Sequence, residues 1–210
     1  AIELYDFSRR EDGMVGMNFP TYLTQDSATY TLVWPLMFRD YAMWHDDVPW
    51  LKARMPGLRA TMHAFELYEN ADGLLDKLPG WNFMDWVPTF RNGVAPDGDG
   101  LSALNNLFYV HALQSAAVAE EAVGNADLAA YWRKKADAVA QKTLATFWCA
   151  ERGLVADTAK KDLFSEHAQC LALLAGILPP DKQAAALKGL IEAPDLARTT
   201  VYFSHYLFDT

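Results

Sequence analysis

Two cysteines in 210 residues are too few to staple a small secreted scaffold, and Cys149 and Cys170 lack the spacing that grips a metal. Both fall in apolar helical patterns, as small buried hydrophobes do. Basic residues are also scarce: 18 Lys and Arg against 27 Asp and Glu leave a net charge of −9. Such a chain is repelled by nucleic acid and by anionic membranes, whereas a neutral polar substrate remains compatible. No apolar run approaches the roughly 18 residues of a membrane span, and the first residues carry no signal-peptide pattern. The chain opens on Ala1 rather than Met, as a processed or cut chain would, and an upstream secretory signal would then be out of view. A Walker loop, a Gly-x-Ser-x-Gly elbow, a His-Glu-x-x-His helix and a dinucleotide fingerprint are all missing. Several enzyme classes fall with them.

What is plentiful is apolar and aromatic: 51% hydrophobic, 13% aromatic, with seven Trp. That composition folds, and the length allows one sizeable core or two small ones. The first two dozen residues read as loop. Ser27 to Trp44 carries a helical stripe through Tyr30, Val33, Trp34, Met37 and Tyr41, with Pro35 marking a kink or a late start. A second helix opens near Pro49 and runs through Leu58, Met62 and Phe65 to Tyr68. Residues 70–100 form a long irregular connection, the kind that often carries function, with room for a short β-ribbon. Helices follow over Leu101–Val123, Ala126–Trp148, Asp162–Gly176 and Asp181–Glu192, and a last apolar run spans Val201–Phe208. About seven helices, joined alternately by tight turns and long loops, spell an all-α fold of stacked helical hairpins.

Three segments could carry chemistry. In Gly80-Trp81-Asn82-Phe83-Met84-Asp85-Trp86 two indoles flank one carboxylate. A sugar ring offers apolar C–H faces for a Trp wall and hydroxyls for a carboxylate. The plainer reading makes Trp81 and Phe83 core anchors and Asp85 a helix cap. Asn18 to Asp26 is an aromatic and polar loop opening the first strong helix, where Asp26 serves equally well as an ordinary cap. In Ser165-Glu166-His167 the histidine falls on the apolar stripe, which suits a core histidine better than a catalytic one. Glycosidases need two carboxylates, about 6.5–9.5 Å apart for inversion and about 5–5.5 Å for retention. Sequence alone cannot pair them.

Several of these runs occur together, in order, in one family. Asp12-Gly13-Met14-Val15-Gly16-Met17-Asn18-Phe19-Pro20-Thr21-Tyr22, the Trp81–Trp86 block and Leu104-Asn105-Asn106-Leu107-Phe108 are joined by Phe147-Trp148, Gly153–Asp157 and Glu166–Gly176. The ordered set covers most of the chain and resembles bacterial α-L-rhamnosidases. The resemblance implies a catalytic domain shaped as an (α/α)6 toroid, of which residues 1–210 form part. It implies inverting hydrolysis of terminal α-L-rhamnosyl bonds, with neither organic cofactor nor metal, and a carbohydrate partner. Trp86 and Asp85, with Trp81 beside them, would line the rhamnose subsite; Asp26 and Trp34 are carried over from a looser match. What such enzymes degrade points to the periplasm or the cell exterior.

The family's general acid sits in an Arg-Asp-Glu-Arg-like motif followed by Gly-Trp, which Arg9-Arg10-Glu11-Asp12 before Gly13 does not fit. Its general base belongs to a Trp-Glu motif expected beyond Thr210. No general acid or base is therefore assigned, and the chain is expected to be inactive alone. Helical pairs of roughly 40–47 residues make a six-pair ring on the order of 250 residues or more. A part-ring leaves apolar helix faces open, which invites self-association. Other six-hairpin glycosidases, such as unsaturated glucuronyl hydrolases or glucoamylase-like enzymes, are the nearest alternatives. Helical repeats that bind carbohydrate or protein without catalysis are the more distant ones.

Overall fold

In the computed structural model, which describes residues 1–210, the helical stripes become eight helices: α1 (Ile2–Phe7), α2 (Ala28–Trp44), α3 (Val48–Glu66), α4 (Ala103–Ala122), α5 (Ala126–Phe147), α6 (Glu166–Leu174), α7 (Pro180–Glu192) and α8 (Ser204–Asp209). A two-stranded antiparallel ribbon, β1 (Trp148–Cys149) with β2 (Leu154–Val155), lies between α5 and α6. Short connections make α2/α3, α4/α5 and α6/α7 hairpins. Their first members, joined by α8, pack side by side in chain order as an inner layer, and the second members lie outside. Burial separates the layers. Helix α4 buries 16 of its 20 residues, whereas α7 buries only Ala186 and Leu190. Small residues explain the close fit of α4: Ala112, Ala116, Ala117 and Ala119 let α2 and α5 approach its backbone.

Local chemistry accounts for the departures from the sequence reading. Helix α1 is too short to show a stripe; buried Ile2 anchors it, and its carbonyl accepts from Trp34 Nε1 at 3.3 Å. A Cβ on Gly57 would stand 2.5 Å from Asp6 Oδ1, so this glycine lets the Asp6–Arg9 pair lie directly on α3. Helix α2 runs unbroken through Pro35, and α3 through Pro56. Helix α6 begins at Glu166 rather than near Asp162, because Ser165 pairs with Ala197 and Ala197 N–H donates to Phe164 O at 3.0 Å. Within residues 70–100 there are isolated bridges (Phe83 with Val94, Arg91 with Val94) in place of a ribbon. Both cysteines are free, Cys170 buried and Cys149 partly so. No helix is long and apolar enough to cross a membrane.

The connections alternate strictly. Residues 8–27, 67–102, 148–165 and 193–203 lead into inner helices; residues 45–47, 123–125 and 175–179 lead into outer ones. Long loops consequently gather at one end of the layered arc and tight turns at the other.

Candidate functional site

At the loop end each of the first three inner helices starts on a serine: Ser27 caps α2, Ser102 precedes α4 and Ser165 caps α6. Each serine also pairs through its backbone with the next long loop, Ser27 with Gly80, Ser102 with Thr158 and Ser165 with Ala197. The loops are thus sewn to one another across the tops of the inner helices. Helix N-termini carry partial positive charge, which suits the carboxylates collected here.

Asp85 is the node of this end. It is 0% exposed, as is His167. One carboxylate oxygen accepts from His167 Nε2 at 2.8 Å and from Thr200 N–H at 2.7 Å; the other accepts from the Thr200 hydroxyl and from Trp86 N–H at 2.8 Å. Burial pushes the carboxyl up, but the bonds from His167 and Thr200 outweigh it and hold Asp85 below the ordinary carboxylate range. Glu166, the first residue of α6, repeats the device one step along. It accepts from Thr199 N–H at 2.7 Å, from the Thr199 hydroxyl at 3.0 Å and from Arg198 at 2.5 Å. Those bonds likewise outweigh burial and lower its pKa. Two buried carboxylates therefore grip Arg198-Thr199-Thr200 and position the aromatics that follow, Tyr202 half-exposed and Phe203 buried. Phe203 closes over His167, with ring centroids 4.4 Å apart, and Tyr202 meets Phe83 edge-on at 5.4 Å.

Above Asp85 stands an aromatic platform. Phe83 is buried at its centre, with Trp81 at 5.0 Å and Trp86 at 4.9 Å; the two indoles are 5.8 Å apart, inclined at 51°. Tyr30 and Tyr202 stack on the far side at 6.3 Å. Backbone bonds hold the loop: Met84 N–H donates to Gly93 O at 2.7 Å, and the Thr29 hydroxyl to Phe83 O at 2.7 Å. Trp81 is pinned from both sides. Its N–H donates to Asp26 O at 2.8 Å, its indole Nε1 to Asn92 O at 3.0 Å. Gly80 adopts φ +79, and a Cβ there would sit 2.5 Å from Asp26 O, so the close crossing of the two loops requires glycine.

Of the five residues expected to meet a sugar, three come together with open faces. Trp86 is 59% exposed, Trp81 is half-buried, and Asp26 lies on the rim paired with Arg10. Two corrections follow. Asp85 belongs to the same cluster but from beneath, every oxygen engaged by protein donors, so it presents nothing to solvent. It is not a helix cap either, since the loop continues to Ser102. Trp34 is a core residue, 2% exposed, edge-on to Phe38 at 4.7 Å with Arg9 over its ring at 4.9 Å. A stripe shows that a residue faces inward; it does not show whether a hollow or packed core awaits it. Asp26 does not cap α2, because Ser27 does. Sequence reasoning missed Thr200 and Tyr202, and no local signal could have paired them with a loop 115 positions away.

Two further features adjoin the platform. A polar cleft of about 910 Å³ runs from Trp81 between residues 89–101 and 158–163. Asp157 is buried nearby, its carboxyl accepting from the Ser165 hydroxyl at 2.7 Å, and burial pushes its pKa up to about 7. No three His, Cys, Asp or Glu side chains are arranged to hold a metal ion.

The profile of the bacterial alpha-L-rhamnosidase 6 hairpin glycosidase domain matches residues 2–201. The chain belongs to this family. Among solved structures it resembles a GH78 family rhamnosidase of Bacillus sp. GL1, with TM-score 0.86 and 22% identity over 99% of this chain. A rhamnosidase from Klebsiella oxytoca with rhamnose bound gives 0.81 and 22% over 98%, and an alpha-L-rhamnosidase from Dictyoglumus thermophilum gives 0.69 and 14% over 99%. No curated protein matches. The chain spans 22%, 40% and 23% of those three solved chains. The hairpins of the present structure are accordingly those of a six-hairpin glycosidase domain, and the inner layer is part of its ring.

Proposed function

We propose that this chain supplies part of the sugar-binding end of an inverting α-L-rhamnosidase, which hydrolyses terminal α-L-rhamnosyl bonds in the full-length enzyme. The observation that carries the reading is an exposed indole, Trp86, seated directly on a fully buried and fully bonded carboxylate at the end where the inner helices begin. Rhamnose, a deoxy sugar with a methyl group and an apolar ring face, suits such a wall. Trp86 stacks on that face, Trp81 borders it and Asp26 offers hydroxyl acceptors at the rim. Asp85 acts as a positioning residue. Bonded to the backbone N–H of Trp86, to α6 through His167 and to the α7–α8 connection through Thr200, it fixes the indole against two neighbouring segments.

The reading assigns no general acid or base to these residues. The buried carboxylates of this end, Asp85, Glu166 and Asp157, are each tied to protein donors, and Asp26 is paired with Arg10. An inverting pair must instead face the bond from both sides, about 6.5–9.5 Å apart. Exposed apolar side chains on α1, at the end of α2 and at the final residues (Phe7, Trp44, Phe208) support a ring in which further helices, or a second copy, cover both edges of this arc.

Hydrolysis of an aryl α-L-rhamnoside tests the proposal. Residues 1–210 alone should release no aglycone. The full-length enzyme should be active, and Trp86→Ala in it should reduce kcat/KM by about a hundredfold. Activity confined to a different glycoside would retain the fold and remove rhamnose from the account.

A further inference from the structure

The platform accounts for one sugar ring, yet Trp81 has a second neighbour. The polar cleft that begins at this indole has a volume of about 910 Å³, near the top of the range for small-molecule sites and well beyond what a monosaccharide fills. Its walls are two loops of the same end of the fold, residues 89–101 and 158–163, held together by the Ser102–Thr158 bridge. Trp81 is shared by both. Its Nε1 is already bonded to Asn92 O, which fixes the ring and leaves only its apolar surface for a ligand. Trp86 packs 5.8 Å from this indole, and the cleft is lined by it.

The cleft's charges are of both signs and are not spent on one another. Arg91 and Lys160 are exposed and make no ion pair; Asp97 and Asp99 face the same space, also without a cationic partner, as does Asp162, one of whose oxygens accepts from the Thr158 hydroxyl at 2.6 Å. Charged donors and acceptors that coexist unpaired around a groove match a ligand that both donates and accepts, as sugar hydroxyls do. The net charge of these five side chains, +2 and −3, is −1. The cleft therefore carries no net positive charge to favour an anionic sugar, and a bare hydrophobe would strand the polar walls.

We propose that this cleft binds the leaving-group side of the substrate, and that this side is a neutral oligosaccharide of two or more residues. The proposal rests on the placement of rhamnose at Trp86: a chain bonded to that sugar continues past Trp81 into the cleft. Trp81 then contacts both the sugar to be released and its neighbour. Arg91 and Lys160 donate to hydroxyls of the following rings, and Asp97, Asp99 and Asp162 accept from them. Preference for long neutral glycosides over small ones is set here and not at Trp86.

Binding to residues 1–210 can be read by calorimetry with three probes: methyl α-L-rhamnoside, a neutral tetrasaccharide ending in α-L-rhamnose, and the same tetrasaccharide with uronic acid in place of its internal sugars. The neutral tetrasaccharide should bind about tenfold tighter than the methyl glycoside. The double variant Arg91→Ala/Lys160→Ala should erase that advantage while leaving methyl rhamnoside affinity unchanged. Lys160→Ala alone, at an exposed position, should remove part of it should the double variant fold poorly. An advantage that survives both variants overturns the proposal, as does equal binding of the two neutral probes, tightest binding of the uronic acid probe, or no binding of any. A neutral tetrasaccharide lacking rhamnose that binds in dependence on Arg91 and Lys160, while methyl rhamnoside does not bind, keeps the cleft and removes the rhamnose reading instead.

Discussion

At the tight-turn end of the arc, apolar surface does most of the work: Trp132, Leu113 and the alanines of α4 are buried, and Glu120 is the buried charge, paired with Arg59 through two bonds of 2.7 Å. At the loop end, long irregular chains cannot bury their backbone groups against a helix ladder. They are held instead by the buried carboxylates Asp85, Asp157 and Glu166 bonded to hydroxyls, backbone N–H groups, His167 and Arg198. The difference teaches where the fold tolerates change. Apolar packing does not titrate, whereas the polar stitching of the loop end depends on the protonation state of several carboxylates.

The largest effect should come from Asp85→Ala, which strands His167 Nε2, the Thr200 hydroxyl and two backbone N–H groups. Several charge-assisted bonds at once amount to about 4 kcal/mol of stability, read as a lower midpoint in urea together with loss of rhamnoside binding. Glu120→Ala, at the helical layer, should cost about 3 kcal/mol and leave rhamnoside affinity of the remaining folded protein untouched. Affinity that fell as much as for Asp85→Ala would dissolve the distinction between the ends.

Trp86→Ala is the converse case. The indole is mostly exposed, so stability should change by less than about 0.5 kcal/mol, while sugar binding should weaken by about 2 kcal/mol, roughly thirtyfold.

The sign of the pH response separates the buried carboxylates. Asp85 and Glu166 have folded pKa values held below those of the unfolded chain. Their contribution is complete above the unfolded value and is lost as pH falls through the folded one. Asp157 runs the other way. Its pKa is pushed up to about 7 from 3.8, so between those values only the unfolded chain ionises, and stability falls as pH rises. Asp157→Asn should remove that slope, gaining up to about 4 kcal/mol at pH 7.5 and nothing below pH 3.8. Thermal melts at the two pH values measure it. Smallest of all, Ile191→Ser on the exposed face of α7 should stay within about 0.5 kcal/mol of the parent.

Much of the helical layer was legible. The stripes of α2 to α5, the Gly124-Asn125 break and the long irregular region before α4 are local patterns, and local patterns survive into three dimensions. The Trp81–Trp86 segment was also visible, because two indoles around a carboxylate in a Gly-rich loop are unusual. Its inner logic was not. Asp85 meets His167 across 82 positions and Thr200 across 115, and no spacing rule reaches that far. Trp34 is carried to the sugar site only by the looser family match; its stripe turns it inward, and only packing shows that Ile2, Phe38 and Arg9 surround it. The late start of α6, at Glu166 and not near Asp162, was equally hidden, since a distant backbone pairing at Ala197 competes with the helix.

The seven Trp side chains make the central claim directly measurable. With indole nitrogens labelled in residues 1–210, titration with L-rhamnose should shift the Trp86 and Trp81 N–H resonances saturably. Those of buried Trp34 and Trp132, and of Trp44 at the far end of α2, should stay fixed. Saturable shifts at Trp44 or the core indoles, with Trp86 unmoved, would contradict the placement of the sugar.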